Sequence, residues 1–299
     1  MTSNSKGNAP RSTSLIITTY NKPIPLRITL ESVLRQTTAP SEVIVADDGS
    51  SEETFDVVRA FRRRARFPVL HAWQPNDGMR LSRNRNNALA IANGEYVVMI
   101  DGDLILEEHF LEDHLDLARP GRFVSGRRAN LVGATLDALL ERGELDDFQP
   151  SPMLRDLTKR KYAFRSRALA AIFSKRWRPG AMARGKSVFR LTRFRVIGSN
   201  FAYWLDDARR VNGFNELFVG WGPEDKEFAQ RLSRAGLELF AVANLCVNYH
   251  LNHGSSTRVA REEFIRKYPE TLEPDQIRLK NEYGMTRAAS EGVPRVEGR

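Results

Sequence analysis

The chain has 299 residues, 41% of them hydrophobic, and a formal net charge of +9. This length allows one large domain or two small ones with a buried core. No apolar stretch is long enough to span a bilayer, and the polar leader MTSNSKGNAPRSTS lacks the apolar core of a secretory signal. The single cysteine, Cys246, excludes an internal disulfide and a cysteine-rich zinc site. We therefore expect a cytoplasmic protein.

Strands and helices are predicted in alternation over the first part of the chain. After a disordered leader (1–13), β-branched runs predict strands at 14–19, 42–46, 67–73 and 95–100. Apolar periodicity predicts helices at 23–36, 50–63, 81–92 and 107–117, the second opened by a capping box of Ser50 and Glu53. This order predicts an α/β fold with a mostly parallel, Rossmann-like sheet flanked by helices. We assign residues 14–118 to its first half.

Residues 119–195 are expected to form a basic insertion. Residues 122–195 hold 18 Lys or Arg against 6 Asp or Glu, which leaves the rest of the chain slightly acidic. From residue 130 the insertion lacks a strand pattern and is predicted to be helical and loop-like. Its charge indicates either contact with an anionic partner (phosphorylated glycolipid, membrane surface or nucleic acid) or a solvated insertion. The basic amphipathic stretch 164–177 could lie on an anionic membrane or pack on the domain.

The second half, residues 196–285, is predicted to contain strands at 196–204 and 238–243 and a helix at 223–235. The tail, 286–299, is expected to be disordered. Gly222 and Pro223 are followed by Glu224 and Asp225, two carboxylates in the first turn of the predicted helix. They form either a capped helix start or an acid–base site.

Polar residues end three of the predicted strands: TTYN at 18–21, DDGS at 47–50 and DGD at 101–103. Ligands of open α/β sheets bind at the carboxyl ends of the strands, so the three clusters are expected to converge on one crevice. Two carboxylates one residue apart after a buried strand repel each other unless a cation compensates them. The chain has neither G-x-x-x-x-G-K-[ST] nor G-x-G-x-x-G after its first strand. We therefore predict a divalent ion in place of a glycine-rich phosphate loop.

The segments TTYNKP, VIVADDGSSEET and RLSRNRNNALAIANGEYVVMIDGD resemble the nucleotide-binding half of the family-2 glycosyltransferases. NFAYWLDDARRVNGFNELFVGWGPEDKEFAQRL and NYHLNHG are similar to the C-terminal segment of β-1,4-galactosyltransferases, chondroitin polymerases and bacterial lipopolysaccharide and capsule glycosyltransferases. The resemblance covers residues 14–118 and 196–254. It implies a GT-A fold that binds a sugar nucleotide through a D-x-D motif and Mn²⁺ or Mg²⁺. Pro223, where relatives have glycine, and Asn252, where relatives often have an aromatic, depart from the pattern.

The resemblance also implies roles for individual residues. The uracil and ribose of a UDP-sugar would contact Thr18, Tyr20 and Asp48. The rest of the donor would lie against Arg83 (base or diphosphate) and Asp101 (ribose or sugar). The metal ligands would be Asp103 and His250, with His253 as the competitor of His250. The acceptor side would consist of Trp221 and Gly222 beneath donor and acceptor, Glu224 on acceptor hydroxyls, and Asp225 as catalytic base.

These implications add up to a metal-dependent, inverting glycosyltransferase that moves a hexose or N-acetylhexosamine from a UDP-sugar. The expected acceptor is an anionic glycan or glycolipid, such as lipopolysaccharide core or capsule, with peripheral contact at the inner membrane face. The alternatives are a sugar nucleotidyltransferase, a catalytically dead sugar-binding relative, and a nucleic-acid-binding protein that uses the basic insertion. A D-x-D-x-[TV] phosphatase would need Thr or Val where Ile105 stands. No nucleic-acid partner is expected.

Overall fold

The computed structural model describes residues 9–145, 148, 156–158, 163–177, 196–220, 223–253 and 284–298. The strands in these ranges are β1 (Thr13–Thr19), β2 (Glu42–Asp47), β3 (Val69–Trp73), β4 (Tyr96–Asp101), β5 (Leu104–Leu106), β6 (Arg122–Ser125), β7 (Arg128–Leu131), β8 (Leu157–Thr158), β9 (Lys175–Trp177), β10 (Asn200–Trp204), β11 (Glu238–Ala241), β12 (Asn248–Leu251) and β13 (Arg295–Glu297). The helices are α1 (Pro23–Leu34), α2 (Glu52–Arg64), α3 (Leu81–Ile91), α4 (Phe110–Leu117), α5 (Gly133–Arg142), α6 (Arg167–Phe173), α7 (Leu205–Arg210), α8 (Glu224–Arg234) and α9 (Met285–Glu291). None of these helices has the length and apolarity that a bilayer crossing requires.

The large sheet has the strand order β13-β3-β2-β1-β4-β10-β6-β11-β9. Strands β3, β2, β1 and β4 are parallel, as predicted, and β10 enters antiparallel between β4 and β6. Leu15 and Ile17 of β1 face one apolar cluster and Ile16 faces the other, all fully buried. Burial on both faces explains why the strands read as continuous apolar runs. The same parallel register pairs Thr18 with Asp101 and thereby aligns the strand ends.

A smaller sheet, β5-β12-β7-β8, lies next to the end of β4. In it His250 of β12 is the register partner of Leu104, the residue after Asp103. The backbone N–H of Leu251 also donates to the carbonyl of Asp103 at 2.9 Å. The second sheet thus brings a histidine from the distant end of the chain to the Asp-Gly-Asp turn.

The described parts of residues 119–195 are more closely built into the fold than the sequence predicts. Strand β6 lies inside the large sheet between β10 and β11, and β7, β8 and β9 are strands within a range expected to be helical and loop-like. These strands have two to four residues, too few to show a period-2 pattern. The expected helical character is present in α5 and α6.

The expected disorder of residues 286–299 is wrong for the described part of this segment. Helix α9 buries Met285 in the cluster that contains Ala88 and Leu89 of α3, and Ala288 is buried as well. Strand β13 pairs antiparallel with β3. The Arg287 guanidinium donates to Glu216 at 2.7 Å. Two apolar side chains and a three-residue edge strand give too weak a sequence pattern to predict order.

Candidate functional site

Two of the polar strand ends are tied together by Ser50. Its hydroxyl accepts from the backbone N–H of Asn21 at 2.9 Å, and its own N–H donates to Asp47 at 2.8 Å. The predicted capping box of Ser50 and Glu53 is therefore wrong: α2 has Ser51 as its N-cap residue, without a side-chain cap. Ser50 instead joins the loop after β1 to the loop after β2.

Asp48 lies buried in the second of these loops. One carboxylate oxygen accepts from the backbone N–H of Arg80 at 2.8 Å and the other from the side-chain amide of Gln74. Burial raises the pKa of Asp48 to about 6, against the lowering effect of those hydrogen bonds. The adjacent Gly49 has φ +93°, and a Cβ there would lie 2.6 Å from the Cα of Asn76, so this turn requires glycine.

The other residues expected at the nucleotide lie around the same loops. Thr18 donates its hydroxyl to Asp101 at 3.0 Å, and Tyr20, 46% exposed, accepts from Asn76 at 2.9 Å. Arg83 lies half-buried on α3. The exposed ring of Tyr20 could stack on a planar ligand. The roles of Thr18, Tyr20 and Arg83 at the nucleotide stay predictions.

Three nitrogen-bearing side chains, His250, His253 and Lys22, surround the buried carboxylate of Asp103. One oxygen lies 3.7 Å from Nε2 of His250; the other lies 3.0 Å from Nε2 of His253 and 3.2 Å from Nζ of Lys22. Burial would raise the pKa of Asp103, but the two histidines and Lys22 lower it below its ordinary value. Asp103 is therefore held as a carboxylate.

The same cluster has the composition of a divalent-metal site. Ligand atoms of Asp103, His250 and His253 lie within 4.8 Å of one another. Within the described part of the chain, one Asp103 oxygen is buried without a hydrogen-bond partner, which is costly unless a ligand satisfies it. Carboxylate oxygen suits both Mn²⁺ and Mg²⁺, and imidazole is a common ligand of divalent transition metals. The residues fit the predicted metal, and both histidines remain candidates.

A buried arginine connects Asp101 to the start of α8. Arg85, 2% exposed, has Nη1 3.0 Å from Glu224 and Nη2 3.7 Å from Asp101. Burial raises the pKa of Asp101, as does Asp103, and burial raises that of Glu224 to about 7 despite Arg85. The sequence reasoning named Arg83 and missed Arg85. Arg85 lies three and four residues before the buried Ala88 and Leu89, so all three are on one face of α3. This spacing could have predicted from the sequence that Arg85 is buried.

Asp225 follows Glu224 in the first turn of α8. Its carboxylate accepts from the backbone N–H of Gly198 at 2.8 Å and from that of Lys226 at 2.7 Å, and the residue is half-buried. A Cβ at Gly198 would lie 3.1 Å from both Arg85 and Asp225. The turn before β10 therefore packs tightly against both groups. Trp221 and Gly222, expected beneath donor and acceptor, lie outside the described residues.

These groups line one end of the sheet with complementary chemistry. The Asp103 cluster can hold a cation and, through it, a diphosphate. The half-buried carboxylate of Asp225 can accept a proton from a hydroxyl. This combination of groups can serve the transfer of a group from a phosphorylated donor to a hydroxyl acceptor.

Sequence comparisons agree with this geometry. A model of glycosyl transferase family 2 matches residues 14–207, and one described as the N-terminal domain of galactosyltransferase matches residues 180–254. Validoxylamine A glucosyltransferase of Streptomyces hygroscopicus subsp. limoneus is 28% identical over 87% of the chain. Chondroitin synthase of Escherichia coli is 29% identical over 75%. The chain spans 57% of the first relative and 32% of the second.

Solved structures show the same fold. A mannosyltransferase from Pyrobaculum calidifontis, in complex with GDP-Man and Mn²⁺, superposes with a TM-score of 0.54 at 18% identity, covering 84% of this chain and 59% of its own. Staphylococcus aureus TarS 1-349 gives 0.52 at 18% identity, covering 80% and 60%. The predicted GT-A fold is confirmed. Because the family match also extends over more than half of its residues, this chain belongs to glycosyl transferase family 2.

Proposed function

We propose that this protein is a metal-dependent, inverting glycosyltransferase that moves a hexose or N-acetylhexosamine from a UDP-sugar to a glycan. One arrangement carries the proposal. The metal-ligating cluster on Asp103 directly follows Asp101, and buried Arg85 links Asp101 to the helix start that bears Asp225. In this proposal the Asp103 cluster is the donor clamp and Asp225 is the proton acceptor, and the guanidinium of Arg85 connects the two regions.

On the donor side, Thr18, Tyr20 and Asp48 would hold uracil and ribose, with Arg83 at the base or diphosphate and Asp101 at the ribose or sugar. The exposed ring of Tyr20 and the buried carboxylate of Asp48 suit stacking and hydrogen bonding to a nucleoside. A divalent ion, Mn²⁺ or Mg²⁺, would be held by Asp103 and His250, with His253 as the competing ligand. When bound it supplies the positive charge that stabilises a departing diphosphate.

On the acceptor side, Asp225 would take the proton from the attacking hydroxyl. The N–H groups of Gly198 and Lys226 fix its carboxylate. A single base that activates the hydroxyl for direct displacement would invert the anomeric configuration. Glu224 would accept from another acceptor hydroxyl. Trp221 and Gly222 would complete the subsite beneath the sugars.

The acceptor is proposed to be an anionic glycan or glycolipid, such as lipopolysaccharide core or capsule. Relatives named hyaluronan synthase and chondroitin synthase support a polysaccharide product, and the basic residues 122–195 support a negatively charged partner. A cytoplasmic protein in peripheral contact with the inner membrane would meet such an acceptor. The family match leaves the nucleotidyltransferase and nucleic-acid-binding alternatives without a supporting observation.

The test is transfer itself. Purified protein with Mn²⁺ is incubated with single UDP-sugars and a panel of oligosaccharide and glycolipid acceptors, and the product anomer is read by NMR. We expect one UDP-sugar to give product of inverted configuration, and Asp225→Asn to lower the rate at least about a hundredfold. The matched control is Asp206→Asn, since the side chain of Asp206 is 91% exposed. A retained anomeric configuration, or Asp225→Asn at the wild-type rate, would contradict the proposal.

A further inference from the structure

Helix α6 and strand β9 carry an exposed apolar pair beside basic residues. Ile172 is 69% exposed and Phe173 is 53% exposed, more than any other large apolar side chain described. Arg167, Lys175 and Arg176 are exposed around them. We call these five residues the α6–β9 patch.

The patch is held in place from beneath. Buried Asp113 accepts two hydrogen bonds from Nε of Arg165, both at 3.0 Å, and one from its Nη2 at 2.7 Å. The N–H of Ser166 donates to the carbonyl of Asn244 at 2.7 Å, and β9 pairs with β11 at the edge of the large sheet. The apolar pair is therefore presented by an anchored element, whose inner residue Ala170 is buried.

The sequence around the patch carries charge of one sign, and the nearest anion from another element is Asp116 of α4, 3.2 Å from Arg167. Residues 157–195 contain 13 Lys or Arg and not one Asp or Glu. Apolar side chains next to cations, with no anions nearby in sequence, are the composition of a surface that enters the headgroup region of an anionic bilayer. A nucleic acid would use the cations but would gain little from an exposed isoleucine.

We propose that the α6–β9 patch docks on an anionic phospholipid surface, with Ile172 and Phe173 at the headgroup–acyl boundary and the basic residues on lipid phosphates. The anchors of α6 also touch the segment that leads into β12: Asn244 binds Ser166, and Tyr249, next to His250, donates to the carbonyl of Ala163 at 2.8 Å. Docking would thus fix the position of the proposed metal site at Asp103 and His250 relative to the bilayer. This consequence rests on the proposed function, because it requires an acceptor in the membrane.

The test is co-sedimentation with phosphatidylcholine vesicles, either pure or containing about one-third phosphatidylglycerol. Wild-type protein is expected to bind only the anionic vesicles. Ile172→Ser with Phe173→Ser, and separately Lys175→Glu with Arg176→Glu, should each weaken binding at least about tenfold. The matched control, Arg63→Glu with Arg66→Glu, makes the same charge change at exposed positions of another surface and should bind like wild type. Melting temperatures confirm that the variants fold. The comparison of the two vesicle types uses wild-type protein alone, so it tests the proposal even if a variant does not fold.

Three outcomes would overturn the proposal. Equal binding to both vesicle types, or to neither, would remove the lipid surface. If the patch and control charge variants lost vesicle binding equally, or if the serine variant lost none, the binding would depend on net charge and not on the patch. If wild-type protein bound RNA but not vesicles, and a patch variant abolished the RNA binding, the patch would be a nucleic-acid site. Vesicle binding needs no catalysis, so failure here is separate from failure of sugar transfer to a soluble acceptor.

Discussion

Arg85 of α3 forms a buried ion pair with Glu224 at the start of α8, with 3.0 Å between Nη1 and Oε1. The pair joins the donor half of the chain to the acceptor half. Because both side chains are buried, Glu224 depends on Arg85 for compensation of its charge, whereas Arg85 also lies 3.7 Å from Asp101.

We expect a double-mutant cycle on this pair to be strongly non-additive. Arg85→Met should lower the free energy of unfolding by about 3 kcal/mol, because it leaves buried Glu224 without its cation. Glu224→Gln should cost less, because Asp101 still lies 3.7 Å from the guanidinium of Arg85. The double variant should lose at least about 1 kcal/mol less than the sum. Urea unfolding at neutral pH measures all four proteins, and additive losses would show that the pair contributes no coupling.

Lys22 should oppose metal binding. Its ammonium lies 3.2 Å from Asp103 and 2.6 Å from Nε2 of His253, so it occupies the space beside two of the proposed ligands. Lys22→Met is expected to tighten Mn²⁺ binding by roughly three- to tenfold, the effect of one partly screened charge. Calorimetric titration with Mn²⁺ alone measures this, and Lys175→Met, on the distant edge strand, is the control with the same charge change. Weaker binding in Lys22→Met would mean that the lysine supports the metal site.

The pKa of Asp48 makes a prediction about pH. Its folded value of about 6 lies above the ordinary value of 3.8, so the folded state binds more protons than the unfolded state between these values. The contribution of Asp48 to stability is therefore fully present below pH about 4 and is lost as pH rises through about 6. The Asp48→Asn variant has no carboxyl at this position, so it does not lose this stability as pH rises.

Thermal melting of wild type and Asp48→Asn at pH 4 and pH 7 tests this sign. The melting temperature of the variant minus that of wild type should be higher at pH 7 than at pH 4. A difference that is constant, or that falls with pH, would show that burial does not raise the pKa of Asp48.

The C-terminal segment should contribute to stability. Met285 is buried against the α3 side of the core, and Met285→Ala is expected to lower the free energy of unfolding by about 2 kcal/mol. The exposed Glu291 of the same helix is the control, and Glu291→Ala should change it by less than about 0.5 kcal/mol. Equal stability of Met285→Ala and wild type in urea would mean that α9 is not part of the cooperative fold.

The parallel half of the fold could be predicted because its strands are buried on both faces and end in polar clusters. Ile16 and Ile44 lie in such apolar runs, and Asp48 and Asp101 mark where two of the strands stop. Sequence adjacency and helical periodicity contain that information. The resemblance then added the distant histidines.

The remaining parts depend on contacts between residues far apart in the chain. The small sheet that brings His250 to Asp103 is built from strands of two to four residues, and no local pattern indicates their pairing. Arg85 could have been placed on the buried stripe of α3, but its pairing with Glu224 spans 139 positions. The interaction of Lys22 with Asp103 is likewise tertiary, and so is the docking of α9.

The most direct test of the central claim is thermal stabilisation of the protein by UDP, GDP and CDP, each with and without Mn²⁺, in wild type and in Asp103→Ala. The account predicts that UDP stabilises wild type only with Mn²⁺ and that the effect vanishes in the variant. Stabilisation that does not need Mn²⁺, or that survives in a folded Asp103→Ala protein, would contradict the metal clamp. Preference for GDP or CDP would contradict the UDP donor and leave the clamp intact.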